Sequence, residues 1–159
     1  MTGALTAIDI MGREGVVLRD LWKSCPKAYL GLMVRGFPNM FTVLGPQSPS
    51  VLSNNISQIE LHVEWISHLL QNMREHNRDI VECDTQAQED WVLTNNAIAN
   101  FTVVGPQCNA SNSYYRGGNI EGKGTDFVLP YVGGCLAYRA KLKEVSENNY
   151  AGFTLGKSK

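Results

Sequence analysis

The sequence predicts a mixed α/β protein, with short strands in residues 1–50 and a mainly helical part in residues 51–159. Short apolar runs separated by glycine- and proline-containing turns fill the first part, as is typical of strands. In the second part, apolar residues recur at steps of three and four, the spacing of one helix face. No strand is followed by a glycine-rich loop and a helix, so a self-contained doubly wound fold is not expected.

Composition and charge exclude several classes of protein. The chain has 159 residues, of which 43% are hydrophobic and 18% charged, as in ordinary globular proteins. Its formal net charge of −1 indicates no general attraction to nucleic acid or to an anionic membrane. The start of the chain lacks a signal-peptide pattern, and the longest apolar stretch, AYLGLMV, is too short to cross a bilayer. A cytoplasmic protein that binds neither nucleic acid nor membrane is therefore expected.

A loop between the two parts is the clearest landmark. The apolar run Met40–Leu44 is predicted to be a strand of a covered sheet, and the residues Gly45–Ser50 follow it. Two prolines and a glycine exclude regular pairing there, so this segment, the GPQSPS loop, is a connection. The opening segment, with the apolar runs Ala7–Ile10 and Gly15–Leu18, is predicted to form strands and turns, and a compact apolar run, Ala28–Val34, follows it.

Three helices are predicted after this loop. The first has Ser53 or Asn54 as its N-cap and one apolar stripe, expected in the core, formed by Ile56, Ile59, Val63, Ile66, Leu70 and Met73. The second opens with a capping box at Thr85 and Gln88. Its expected buried side consists of Ala87, Trp91, Ile98 and Phe101. The last runs through Leu136, Tyr138, Leu142 and Val145.

Neither the cysteines nor the histidines have the spacing of a metal site. The four cysteines are far apart along the chain and are expected to be reduced, partly buried thiols. His62 and His68 lie on different faces of one predicted helix, so they cannot share an ion, and we expect surface or boundary histidines. No catalytic residue and no metal ligand is assigned.

The connection from the GPQSPS loop to a helix is where chemistry could sit. A helix N-terminus presents free N–H groups and the positive end of its dipole, which favour an anion or an electron-rich ring edge. A plain strand-to-helix connection stiffened by proline explains the same residues, and both interpretations remain open at this point.

Several blocks resemble one enzyme family when taken together in order. They are KAYLGLMVRGFPNMFTVLGPQSPSVLSN, QIELHVEWI, SYYRGGNIEGK, LPYVGG followed by AYR, and NNYAGFTL. This order resembles the Baeyer–Villiger monooxygenases, relatives of cyclohexanone, phenylacetone and steroid monooxygenases. The resemblance covers nearly the whole chain. It implies the C-terminal fragment of a flavoprotein with two dinucleotide-binding domains, of which residues 1–50 are a remnant.

The resemblance also implies a reaction and its cofactors. Family members use FAD and NADPH to insert an oxygen atom from O2 next to a ketone carbonyl, which gives an ester or lactone. The family's catalytic arginine lies in the part that is absent here, so Arg35 and Arg116 are not candidates for it. The isolated chain, which lacks the glycine motifs, is expected to be inactive and to bind neither cofactor tightly. The alternatives are a non-catalytic module that completes a separate flavin-domain polypeptide, or a truncated gene product.

Site residues follow from the same resemblance. The segment predicted to line the ketone pocket consists of Pro49, Ser50, Val51, Leu52 and Ser53. Asn55 stands where relatives often have a methionine that touches flavin, and Tyr114 matches a tryptophan that covers the nicotinamide nucleotide. Asn119 and Lys123, in the same loop as Tyr114, are candidates for ribose or phosphate contacts. Glu121 departs from the proline usual there, and the stretch Val104–Asn112 is longer than expected.

Overall fold

The computed structural model describes residues 2–50, 53–102, 105, 113–116 and 127–158. It confirms a mixed α/β fold that is mainly helical after residue 53. The helices are α1 (Gly3–Thr6), α2 (Leu18–Leu21), α3 (Asn55–Glu75), α4 (Thr85–Asn100) and α5 (Cys135–Glu147). The strands are β1 (Ile80–Cys83) and β2 (Phe153–Gly156), and short 3-10 turns lie at Arg13–Gly15 and Tyr114–Arg116.

The two strands form an antiparallel ladder that periodicity alone does not predict. Ile80 pairs with Gly156 at one end of the ladder, and Cys83 pairs with Phe153 at the other. This pairing brings the end of the described chain back beside the start of α4. Because each strand has only four residues, its apolar pattern is too short to be recognised in the sequence.

One aromatic-rich core joins α3, α4, α5 and β2. Trp65 of α3 packs against Tyr150 and Phe153, each with ring centroids 5.4 Å away. Its indole N–H donates to the Leu142 carbonyl of α5 over 3.0 Å. Trp91 of α4 stacks on Tyr131, with ring centroids 5.2 Å apart. Burial of each such large side chain stabilises the fold by about 1.5–3 kcal/mol before entropy is subtracted.

The first fifty residues contain isolated bridges where continuous strands were expected. The bridges pair Met11 with Val17, Tyr29 with Met33, and Met33 with Phe41. Left-handed residues interrupt the extended backbone, including Leu30 at φ 55° and Leu44 at φ 55°. A residue in this conformation cannot continue a ladder, so the run Ala28–Val34 becomes a buried turn rather than a strand. The runs Ala7–Ile10 and Gly15–Leu18 are largely exposed, with Ile8 57% and Val16 42% exposed.

The predicted core stripe of α3 is wrong for most of its members. Met73 is buried as expected, but Ile56 is 68% exposed, and Ile59, Val63 and Leu70 are also exposed. The covered face instead carries Gln58, His62, Trp65, Leu69 and Met73. Apolar residues extend around more of α3 than one packing face can cover, and the core has taken the face that includes Trp65.

The predicted start of α4 is correct, but its capping box does not form. Arg35 occupies both side chains, because its Nε donates to Thr85 Oγ1 over 3.0 Å and its backbone N–H donates to Gln88 Oε1 over 2.9 Å. Trp91 is buried as expected. Phe101, expected in the core, is 93% exposed, since α4 ends at Asn100 before that face reaches the core.

A buried carboxylate ties the first part to β1. Glu82 accepts hydrogen bonds from the guanidinium groups of Arg13 and Arg35 and from the Gly36 backbone N–H. Burial of a carboxylate is tolerated when the charge is paired and its lone pairs are satisfied. Arg35 therefore has a structural role in this fold.

Two of the described cysteines, Cys83 and Cys135, are free thiols. Cys83 is buried, and this burial raises the pKa of its thiol to about 12. Its Sγ–H donates to the Met33 carbonyl. Among the described helices, none is long and apolar enough to span a bilayer.

We expect Cys83 to resist alkylation in the native protein. At pH 8 its labelling by iodoacetamide should be at least about 100-fold slower than that of the half-buried Cys135, because only thiolate reacts. Mass spectrometry of the labelled peptides measures the rates, and labelling in urea, where the sites become equivalent, is the control. Equal native rates at Cys83 and Cys135 would contradict this burial.

Candidate functional site

The GPQSPS loop is held by short backbone contacts at its first residues. The Gly45 N–H donates to the Gly31 carbonyl over 3.2 Å, and the Ser48 hydroxyl donates to the Gly45 carbonyl over 2.7 Å. The Thr42 hydroxyl donates to the same Gly31 carbonyl over 2.9 Å. Glycine is required at both positions because an added Cβ would lie 2.4 Å from a neighbouring atom in each case. The segment at residue 31 and the GPQSPS loop can therefore lie this close only because residues 31 and 45 are glycines.

Gln47 is the residue through which this loop is hydrogen-bonded to the core. It is fully buried in a left-handed conformation at φ 60°. Its side-chain carbonyl accepts from the Ala28 N–H over 3.0 Å, and its amide group donates to the Pro26 carbonyl over 3.0 Å. Its backbone N–H donates to the Leu129 carbonyl, and its own carbonyl accepts from the Trp91 indole. These bonds to three distant segments fix the backbone at Gln47.

The predicted substrate residues extend from this fixed position at Gln47. Pro49 is buried, whereas Ser50 and Ser53 are half-buried. The two serine hydroxyl oxygens and Gln58 Oε1 are buried without a hydrogen-bond partner among the described residues. Since buried polar groups are normally paired, these three atoms require a hydrogen-bond partner that the described residues do not supply. Val51 and Leu52 lie outside the described residues.

The loop leads directly into the N-terminus of α3. Asn54 is the N-cap, one of the two predicted candidates, and its side chain accepts from the Ile56 N–H over 3.0 Å. Asn55 is the first residue of the helix and is exposed. Its position leaves it accessible, and its proposed contact with flavin stays a prediction.

His62 lies beneath the loop, where sequence reasoning did not place it. It was expected at the surface or boundary, but it is fully buried on α3. Its Nδ1 accepts from the Leu44 N–H over 3.2 Å, and its Nε2 lies 2.7 Å from the Tyr138 hydroxyl. The hydroxyl in turn donates to the Leu30 carbonyl over 2.5 Å. The only local signal for this burial was the position of His62 three residues before Trp65, on the same helix face.

Burial keeps both members of this pair uncharged. It lowers the pKa of His62 to about 4 and raises the pKa of Tyr138 well above its ordinary value. Because Nδ1 is an acceptor, the ring proton must lie on Nε2, from which it donates to the Tyr138 oxygen. Every polar atom of the pair then has a partner.

The segment that contains Tyr114 and Tyr115 is connected to the GPQSPS loop by hydrogen bonds to Leu129. The Leu129 N–H donates to the Tyr115 carbonyl over 2.8 Å, while the Leu129 carbonyl accepts from Gln47 over 2.6 Å. The backbone of Tyr114 belongs to a 3-10 turn beside this contact. Its side chain, together with Asn119, Glu121 and Lys123, lies outside what the structure describes. Leu129 thus connects Tyr115 to Gln47 of the GPQSPS loop. The assignment of Tyr114, Asn119 and Lys123 to the nicotinamide nucleotide stays a prediction.

Comparison with known proteins identifies the relatives of this fold. No family model matches the chain. The phenazine N-monooxygenase of Lysobacter antibioticus is 40% identical over 96% of this chain, and a Baeyer–Villiger monooxygenase of Pseudooceanicola batsensis is 38% identical over 93% of it. The crystal structure of cyclohexanone monooxygenase from Rhodococcus sp. Phi1 bound to NADP+ superposes over 99% of this chain, with a TM-score of 0.87 and 35% identity.

This chain is related to the C-terminal portion of the Baeyer–Villiger monooxygenases. It spans 27% of the phenazine enzyme, 26% of the Pseudooceanicola enzyme and 28% of the Rhodococcus structure. One solved relative carries both FAD and NADP. The GPQSPS loop and α3 therefore belong to a fold that relatives use for flavin-dependent oxygenation, and the resemblance noted in the sequence is confirmed.

Proposed function

We propose that this chain supplies the substrate loop and the C-terminal helices of an FAD- and NADPH-dependent Baeyer–Villiger monooxygenase. The reaction inserts an oxygen atom from O2 next to a ketone carbonyl to give an ester or lactone. The observation that carries this proposal is the GPQSPS loop, which is fixed at Gln47 and followed by unpartnered polar groups at the start of α3. In this role, the segment from Pro49 to Ser53 lines the ketone pocket.

The described residues fit one edge of a cofactor site rather than a complete one. The sheet of the described part has two antiparallel strands, whereas a dinucleotide-binding domain needs an open, mostly parallel sheet. Ser50, Ser53 and Gln58 offer unpaired polar atoms where flavin or substrate would approach. When bound, flavin supplies the oxygen chemistry, while this chain's residues orient the ketone. Asn55 would contact the flavin, and Tyr114, Asn119 and Lys123 would contact the nicotinamide nucleotide.

The exposed stripe of α3, defined as Ile56, Ile59, Val63 and Leu70, indicates a surface that binds another part of a protein. All four side chains are exposed, and they lie on one helix face. A contiguous apolar face of this kind usually marks an interface. We assign it to the flavin-domain portion of the monooxygenase, carried in the same or in a separate polypeptide. A separate polypeptide would make this chain a completing module. A cytoplasmic location fits the free thiols of Cys83 and Cys135.

The test uses the purified 159-residue chain and a polypeptide that carries the two cofactor domains. The chain alone should form no lactone from cyclohexanone with NADPH and O2. Together, the two polypeptides should form a complex and acquire that activity. Lactone formation by the chain alone, or an inactive complex, would argue against the proposed function.

We expect Val63→Asp to weaken this association by about 30-fold or more, because a carboxylate would be buried in an apolar interface. Leu93→Asp is the matched control, since Leu93 is an exposed leucine on α4, away from the stripe. Calorimetric titration measures both affinities. Equal losses in the two variants would show that the stripe is not the contact surface.

A further inference from the structure

Two leucines in a conformation unusual for their type bracket the backbone that leads into the GPQSPS loop. Leu30 and Leu44 both have φ 55°, in the left-handed region. A residue with a Cβ pays about 1–2 kcal/mol for this conformation. Such residues persist where the surrounding structure over-determines them. The contacts that hold these two leucines therefore set the path of the chain.

A single buried pair contacts both leucines. Tyr138 donates to the carbonyl of Leu30 over 2.5 Å, and the N–H of Leu44 donates to His62 Nδ1 over 3.2 Å. His62 and Tyr138 are themselves 2.7 Å apart, and both side chains are fully buried. The proton order is therefore determined: Leu44 N–H to His62, His62 Nε2–H to Tyr138, and Tyr138 O–H to Leu30. Loss of any one bond leaves a buried polar group unpaired.

This chain of hydrogen bonds, from Leu44 through His62 and Tyr138 to Leu30, is called the relay below. It contacts the backbone where the GPQSPS loop begins. Leu44 directly precedes Gly45, and Leu30 directly precedes Gly31, whose carbonyl accepts from the Gly45 N–H. Two residues after Gly45, the side chain of Gln47 holds the loop by hydrogen bonds to Ala28 and Pro26. The segment between Leu44 and Gln47 is thus pinned at both ends, and its direction determines where Pro49 and Ser50 lie.

We propose that His62 and Tyr138 are positioning residues that set the GPQSPS loop for substrate binding, by holding Leu30 and Leu44 through one hydrogen-bonded relay. This inference rests on the proposed function in so far as the loop binds a ketone. The relay itself acts on the backbone and can be observed without turnover.

The first experiment measures hydrogen exchange of the peptide that contains Leu44 in the native protein. Tyr138→Phe and His62→Phe should each accelerate exchange of the Leu44 amide by about tenfold or more, because each breaks the relay. His62→Asn, whose side-chain oxygen can replace Nδ1 as the acceptor, should restore much of the protection. Tyr29→Phe is the matched control, since its buried hydroxyl donates to the distant Ala151 carbonyl over 3.0 Å.

The second experiment measures ketone oxidation by the complete enzyme that contains the same variants. Tyr138→Phe should raise KM for the ketone by about tenfold while kcat changes less than about twofold, because the loop is misplaced but the reacting groups are intact. Tyr29→Phe should leave both values unchanged. Normal Leu44 protection in Tyr138→Phe and His62→Phe, or an unchanged KM in an active enzyme, would overturn the inference. Faster Leu44 exchange in a native enzyme that oxidises no ketone would support the relay and refute the proposed function.

Discussion

Gly31→Ala should destabilise the protein by about 3 kcal/mol or more, because its new Cβ would meet the GPQSPS loop. The added atom would lie 2.4 Å from Ser48 Cβ and 2.9 Å from the Ser48 backbone nitrogen. Backbone and side chain must both move to relieve these contacts. Gly31 also has φ +67°, which adds the cost of a left-handed alanine. Urea unfolding monitored by tryptophan fluorescence measures the change.

Gly15→Ala separates the two causes of that loss. Gly15 has φ +75°, close to the value at Gly31, but an added Cβ there meets nothing within 4 Å. Its substitution should therefore cost only about 1–2 kcal/mol, the conformational part. Adding Ser48→Gly to Gly31→Ala removes the 2.4 Å contact and should recover part of the stability. Equal losses at Gly31 and Gly15 would show that the loop does not pack tightly against residue 31.

Acid should destabilise the protein through His62. The folded pKa of His62 is about 4, below its ordinary value of 6.5, because burial disfavours the charged ring. The unfolded chain therefore binds a proton that the folded chain does not bind between these two values. Stability is complete above pH 6.5 and falls as the pH drops toward 4, by about 3 kcal/mol in total. Urea unfolding at pH 7, 5.5 and 4.5 measures the slope of the free energy of unfolding against pH.

The pH variants test whether His62 is the origin of that slope. Tyr138 on α5 is the titratable group in contact with His62, and Tyr131 lies beside Tyr138 with ring centroids 5.6 Å apart. Burial raises the pKa of both tyrosines, so neither is charged in this pH range. His62→Asn should remove most of the slope, whereas His68→Asn, on the exposed face of α3, should retain it. An equal slope in native protein and His62→Asn would exclude His62 as the cause.

The sequence predicted elements better than it predicted contacts. The positions of α3, α4 and α5 follow from local periodicity and capping residues, and the structure confirms them. The GPQSPS loop follows from its prolines and glycine, whose backbone effects are local. The face of α3 was wrong because an apolar pattern shows which residues can be buried, without showing which ones a given core covers. The capping box of α4 does not form because Asp84, rather than Thr85, is the N-cap, and the remote Arg35 donates to both predicted side chains.

The sequence by itself determined the mixed α/β class, the three longer helices and the family resemblance, because each depends on the order of nearby residues. The short helices α1 and α2 were not predicted. The tertiary structure alone decided the burial of His62 and its pairing with Tyr138, which lies 76 residues away. It also decided the left-handed conformation at Gln47, where side-chain bonds to Pro26 and Ala28 compensate for an unfavourable backbone. In both cases a buried polar group requires a partner, and only folding shows which remote atom supplies it.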